Sequence, residues 1–258
     1  AVETSPYGPI WELTASTLTG ATGDNLLLGL LSFKSLMLLA FTGTTVVLWA
    51  LSRLLGTGYV DIGQEDLVER SAATVLWAWN PALLFMFMID GHNDVLMIFW
   101  LVLGLLVIKK GHPASGFLLM MLGALTKPVG ILALPIFFVS LLKEKQSVHD
   151  RLRFILIVTF SGLLLTLLFF MPFGSPLELI QRLMREAAAG GGFSPTVLAL
   201  LLAQKAGVQL FAGSFARLTS LLLTIFVIFV SWLLWKTWQG RSPVRGTSLV
   251  LSPCSHLQ

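Results

Sequence analysis

Apolar runs of about twenty residues recur along this chain, and charge is confined to the gaps between them. They are clearest at residues 35–55, 154–173 and 218–235. At about 1.5 Å per residue, a helix of that length crosses a hydrocarbon layer of about 30 Å. Within such a layer the backbone must satisfy its own polar groups, so only helices and closed barrels span it. Continuous runs, in place of short alternating segments, select the helical solution. The expectation is an all-α membrane protein: a polytopic helical bundle of about six to eight membrane helices, some short or broken. Composition agrees, with 55% hydrophobic and 12% charged residues and a mean hydropathy of +0.84, where charged residues approach a quarter of ordinary globular domains.

A formal charge of +4 would suggest nucleic acid in a soluble protein. Here the basic residues gather at the ends of apolar runs, the pattern of loops held on the cytoplasmic side, and no nucleic-acid partner is expected. The single cysteine, Cys254, excludes an internal disulfide. The chain opens on Ala1 with no basic-then-apolar leader, so a fragment or processed chain lacking an N-terminal part is expected.

Taken in order, residues 5–12 (Ser-Pro-Tyr-Gly-Pro-Ile-Trp-Glu) read as a non-helical, interfacial stretch, because two prolines flank a glycine. Asp24-Asn25 can cap a short helix to about residue 33, after which Lys34 precedes the first span at 35–55. A polar loop fills 56–70. The second span, 71–89, is interrupted at Asn80-Pro81, where proline removes a backbone donor. The third, 95–108, ends at Lys109-Lys110. Two shorter apolar pieces, 115–125 and 129–142, flank Thr126-Lys127-Pro128 and read as short helices, a hairpin or one kinked span. After the span at 154–173 come a long loop at 174–195, an interfacial or re-entrant piece at 196–210 and the last span. Residues 1–240 read as one transmembrane domain and 241–258 as a polar, disordered tail.

With the first span running inward and the two short pieces paired, Arg53, Lys109-Lys110, Lys143 to Arg153 and Lys236 to Arg245 all fall on the cytoplasmic side. The opening stretch, Lys127 and the polar knot Asp90-Gly91-His92-Asn93-Asp94 then share the opposite face. That knot suits substrate, metal or acid–base chemistry; it also suits a solvated turn in which Asn93 or Asp94 caps the next helix. His92 and Asp94 alone are too few ligands for a metal site. Lys127 either snorkels to the interface or meets an anionic group such as a lipid phosphate at a helix break. Arg182 and Arg185 could clamp a phosphate or bind lipid headgroups. Stripes such as Leu84-Phe85-Met86-Phe87-Met88 read as lipid-facing or packing surface. No phosphate loop, Cys/His cluster or nucleophile elbow occurs.

The succession Ser-Pro-Tyr-Gly-Pro-Ile-Trp (5–11), Trp-Asn-Pro (79–81), Gly-His-Asn-Asp (91–94), Ala-Leu-Thr-Lys-Pro (124–128) and Leu134-Pro135 resembles the polytopic GT-C glycosyltransferases, closest to bacterial α-1,6-type mannosyltransferases. The likeness covers roughly residues 6–172, and it rests on the order and spacing of the motifs. It implies a GT-C helical bundle in the cell membrane with an extracytoplasmic site. It also implies a polyprenyl-phosphate sugar donor, a glycan or glycolipid acceptor, and transfer usually with inversion. A carboxylate in the first extracytoplasmic loop would be the general base. In the family that carboxylate precedes the Pro-Tyr-Gly-Pro stretch. Here only Glu3 does, so either the base lay upstream or Glu3 or Asp94 stands in, with His92 beside it.

On the same resemblance, Lys127, Arg182 and Arg185 face the phosphate, while Tyr7, Asp90, Asn93 and His92 serve substrate binding. No cofactor is expected; some relatives use a divalent metal and others do not. The rival reading from another class is a transporter or flippase of a lipid-linked or small anionic substrate, built on a broken helix and buried lysine. Against it stand the lack of an internal repeat and the gathering of polar residues at one face. A non-catalytic membrane subunit is the third reading.

Overall fold

The computed structural model describes residues 7–55, 71, 72, 74–145, 147–173 and 214–239, with single positions at 177, 178, 181, 202, 205 and 207. Among the described residues there is no strand. Expectations for 56–70, most of 174–210 and the tail fall outside them.

The first helix, α1 (Pro9–Thr22), corrects the non-helical reading of the opening stretch. Pro9 occupies its first position, where a missing N–H costs nothing and a fixed φ suits the helix. The second, α2 (Leu26–Leu55), begins as expected, with Asn25 Oδ1 accepting from the Leu28 N–H at 3.0 Å. It does not stop at residue 33. Neither Phe33, Lys34 nor Ser35 breaks a helix, and lysine is a good helix former; one helix therefore covers both expected pieces.

The break at Asn80-Pro81 is present. Asn80 accepts from the N–H groups of Ala82 (3.0 Å) and Leu83 (3.4 Å), starting α3 (Pro81–Leu84). The chain widens at once into a π-helical turn, Phe85–Ile89, a form often found at functional sites. After the knot comes α4 (Asp94–Lys109), whose axis makes 119° with the helical segment Thr74–Ile89. The next helix, α5 (Pro113–Thr126), packs back along α4. A Cβ on Gly104 or on Gly116 would lie 2.5 Å from the other's carbonyl oxygen, so the two backbones touch where these glycines face each other.

Lys127 interrupts the apolar region as expected, and the chain continues through a 3-10 turn (Pro128–Leu132) into α6 (Leu134–Glu144). Ser147 caps α7 (Val148–Phe170), which starts within the basic cluster and runs through Arg151 and Arg153. The last described helix is α8 (Ser214–Trp238). Lys143 Nζ donates to the carbonyls of Thr237 and Trp238, bringing the ends of α6 and α8 together.

Two helical stretches are long and apolar enough to cross a membrane, Leu26–Leu54 and Val148–Phe170. The bent pair Thr74–Ile89 and Asp94–Lys109 makes a third if it is one broken span. The described residues thus support two or three spans, with shorter apolar helices such as Pro113–Thr126 beside them; they do not confirm the expected six to eight membrane helices, a number that included short and broken ones. Leu39 on α2 and Phe160 on α7 point outward, as lipid-facing residues do. Met37, Ala40 and Phe41 of α2 pack on Phe87, Val95 and Leu96, with Trp11 and Trp77 against this core. The apolar stripe before the knot therefore divides: Phe87 is buried while Phe85 is exposed.

Candidate functional site

Where the chain breaks its helices, polar groups meet. Lys127 leaves α5 with an extended backbone at φ −143°, ψ 122°, which turns its side chain away from the helix. Its Nζ lies 2.6 Å from Asp94 Oδ1, in the first turn of α4. The two side chains are 27% and 20% exposed, a setting between a solvated surface pair and a desolvated one. Opposite charge at that range is favourable, and the carboxylate is further favoured by the N-terminus of α4.

Tyr7 completes this group. The ammonium of Lys127 lies 5.7 Å from the centre of the Tyr7 ring, within cation–π range. The ring in turn packs edge-on against Trp11 at 6.0 Å. A backbone hydrogen bond holds the arrangement: the Gly8 N–H donates to the Thr126 carbonyl at 3.1 Å. A Cβ at residue 8 would fall 2.0 Å from the Leu125 carbonyl oxygen, so glycine is the residue that permits the approach.

The turn carrying Asp94 is itself braced. Gly91 has φ +72°, a region L-residues rarely enter. The Asp90 N–H donates to Phe85 O at 3.0 Å and the His92 N–H to Met86 O at 3.1 Å. From α2, Lys34 Nζ donates to the carbonyl of Met88 at 2.9 Å and to that of Ile89. An ammonium at the C-terminal end of a helical turn satisfies carbonyls that have no partner within the turn.

Of the residues singled out in the sequence, Tyr7, Asp94 and Lys127 are brought together, and Asn93 stands beside them. Asp90 and His92 are exposed on the same turn. Glu3, Arg182 and Arg185 lie outside the described residues. The capping reading of the knot is not met by Asn93, whose side chain makes no capping bond to α4. Asn93 is instead 4% exposed, and its Nδ2 has no hydrogen-bond partner among the described residues. Among the described residues no group of three or more His, Cys, Asp or Glu is placed to hold a metal.

Two further participants are hidden in the sequence. Lys34 reads there as a span boundary. Glu12 reads as part of an interfacial loop, yet its Oε1 is buried with no hydrogen-bond partner among the described residues. The indole N–H groups of Trp77 and Trp100 are likewise buried and unpaired. Each such group costs about 1–3 kcal/mol relative to a paired one, and Trp77 and Trp100 both pack against the core around Phe87. An acidic residue one helical turn beyond a Gly-Pro helix start is the available signal for Glu12, but it requires knowing that residues 9–22 are helical.

Comparison with known proteins bears on what this site serves. The family described as alpha-(1->6)-mannopyranosyltransferase, N-terminal domain, matches residues 1–143. Alpha-(1->6)-mannopyranosyltransferase A of Mycobacterium tuberculosis is 29% identical over 139 residues, 52% of this chain and 24% of the relative. The protein of the same name in Corynebacterium glutamicum is 27% identical over 132 residues, 51% of this chain and 25% of the relative. The chain thus spans about a quarter of the length of the curated relatives it matches. No solved structure matches it. Tyr7, Glu12, Lys34, Asn93, Asp94 and Lys127 all fall inside the matched region, and by a family match over more than half its residues this chain belongs to the alpha-(1->6)-mannopyranosyltransferase N-terminal domain family.

Proposed function

We propose that the protein carrying this chain is an integral membrane glycosyltransferase. It transfers mannose from a polyprenyl-phosphate donor to a glycan or glycolipid acceptor on the extracytoplasmic face of the cell membrane. The observation that carries the reading is the Lys127–Asp94 pair beside Tyr7, set at two helix breaks in a chain of this family. The names of both curated relatives supply the sugar and the reaction class.

Physically, such a reaction needs three things at one place: a groove for an apolar tail, a cation for a phosphate, and hydrogen-bonding groups for a sugar. Outward-facing leucines on α2 and α7 offer apolar surface to such a tail. Lys127 suits the second, since the phosphate carries one negative charge in the donor diester and more as it departs as a monoester, so an ammonium beside it gains most as the bond breaks. His92, Asn93 and Asp90 suit the third. In the transfer, an acceptor hydroxyl oxygen forms a bond to the anomeric carbon as the bond from that carbon to the phosphate oxygen breaks. The electron pair leaves with the phosphate, and the hydroxyl proton passes to a carboxylate. When phosphate draws Lys127 away, Asp94 becomes free to accept that proton; Glu3 is the other carboxylate the sequence offers. Stabilising the departing phosphate is the part assigned to Lys127.

The test is transfer of radiolabelled mannose from a polyprenyl-phosphate donor to a glycan acceptor in membranes containing the complete protein. Transfer is expected. A complete protein that transfers nothing, yet moves the lipid-linked donor between leaflets of liposomes, would sink the enzyme reading.

A further inference from the structure

We infer that the end of the bundle opposite Lys127 seats an anionic phospholipid, its phosphate held by Lys110, Lys145, Arg151 and Arg153 and its acyl chains laid along the outer face of α7. Packing fixes which groups share this end. The helix α4 runs away from Asp94 and ends at Lys109. The helix α7 starts at Val148 and finishes on the Lys127 side, where Phe170 packs with Ile10 and Leu125. At the other end Ile108, Leu141, Leu142 and Phe154 belong to one apolar cluster, so Lys110, Lys143 and Arg153, one or two positions away from them, emerge around a common centre. Lys145 Nζ lies 5.9 Å from the centre of the Phe154 ring, and Arg151 Nε donates to the Lys145 carbonyl at 2.9 Å. Cations outnumber the carboxylates there, Glu144 and Asp150, which leaves positive charge unneutralised.

The outer face of α7 says what kind of anion fits. Val148, Leu152, Leu156 and Phe160 are all exposed and recur every four residues, so they form one slowly drifting stripe along the helix. Arg151 and Arg153 stand about 100° to either side of Leu152, so the stripe runs out of the apolar span between two guanidinium groups. A soluble anion would leave that stripe unmatched. A phospholipid has chains for the stripe and a phosphate for the guanidinium groups, whose planar forks suit it. The end of α8 marks the same level. Lys143 ties it to α6 through the Thr237 and Trp238 carbonyls, and it exposes Trp232, Trp235 and Trp238, the residue type that gathers where a bilayer meets water.

Lys143, Lys145 and Arg151 are engaged within the protein, whereas Lys110 and Arg153 are exposed and their side chains make no hydrogen bond or ion pair among the described residues. The test therefore falls on these two. The complete protein is reconstituted in phosphatidylcholine nanodiscs holding a trace of phosphatidylglycerol or phosphatidylcholine with a photoreactive acyl chain, and cross-links are mapped by mass spectrometry. On residues 148–160 the anionic lipid is expected to label at least about fivefold more than the zwitterionic one, while around Leu39 and Val46 on the exposed face of α2 the two lipids label alike. Lys110→Gln with Arg153→Gln should lower the preference on α7 at least about threefold with the unfolding temperature unchanged. Excess soluble glycerol phosphate should leave the labelling as it was. Equal preference on α7 and α2 overturns the inference, and this wild-type comparison stands even if the double variant is unstable. A folded double variant that labels like wild type also overturns it. So does displacement by glycerol phosphate, which assigns the cations to a soluble anion, and so does a lack of labelling at 148–160 by either lipid, which means that protein covers the stripe.

Discussion

Lys127 and Asp94 are 33 positions apart in the chain and 2.6 Å apart in space, and their ion pair joins the end of one helix to the start of another. Because both are partly exposed, the pair contributes less than a fully desolvated one; removing either partner should cost about 1–2 kcal/mol, between the surface and buried limits. Lys127→Ala and Asp94→Asn in the complete protein are each expected to lower transfer at least tenfold while abundance falls less. The reversed pair, Lys127→Asp with Asp94→Lys, should recover only part of the melting temperature, because it sets a cation at the N-terminus of α4 and an anion over the Tyr7 ring, and should not restore transfer. Rates and unfolding temperatures measured on the same preparations decide this, and unchanged turnover in both single variants would remove the pair from the site.

Gly8 tests whether the docking of α1 matters. A methyl group there would meet a backbone oxygen at 2.0 Å, which the α5 terminus can relieve only by moving. Gly8→Ala should destabilise by about 1–3 kcal/mol and displace Tyr7 from Lys127. Gly20→Ala, on the same helix with nothing within 4 Å of the added Cβ, should be neutral or stabilising by up to about 1 kcal/mol. Thermal unfolding of the two variants side by side measures the contrast, and equal behaviour would argue against the close approach at Gly8.

Lys34 is expected to act through the π-helical turn. Lys34→Met leaves the carbonyls of Met88 and Ile89 without their ammonium donor, at a cost of about 1–2 kcal/mol. Hydrogen exchange should quicken at residues 85–92 and remain unchanged within α7. Lys34→Arg, which retains donors at similar reach, should recover part of the protection.

What is legible in the sequence is whatever a local rule can state. Proline after Asn80 and after Lys127 announces both helix breaks, and charge at the ends of apolar runs puts the opening stretch, the knot and Lys127 on one face, where Tyr7, Asp94 and Lys127 meet. The rest depends on pairings that no local pattern encodes. Lys34 finds its carbonyls 54 and 55 residues away, so in sequence it resembles a boundary marker. Glu12 reads as loop-borne because Pro6 and Pro9 read as breakers, whereas a proline at the first position of a helix starts it. The continuous α2 divides in two on the sequence for a related reason, that a lone lysine between apolar runs reads as an end.

The bend itself can be separated from the stability it costs. Gly91 at φ +72° allows the turn between the π-helical segment and α4, and a Cβ there would also sit 3.6 Å from Lys34 Nζ. Gly91→Ala should cost about 1–2 kcal/mol from the left-handed backbone alone, or else the turn relaxes and the 119° angle changes. Asn80→Ala removes a helix cap bonded to Ala82 and Leu83 and should cost about 1 kcal/mol, but it lies on the far side of the π-helical turn from Asp94. The two variants are therefore matched in stability and differ in which segment they disturb. Transfer is expected to fall severalfold more in Gly91→Ala than in Asn80→Ala at equal folded protein, because only the first shifts Asp94 against Lys127. Equal loss in both would mean that transfer tracks stability and that the orientation of α4 does not matter.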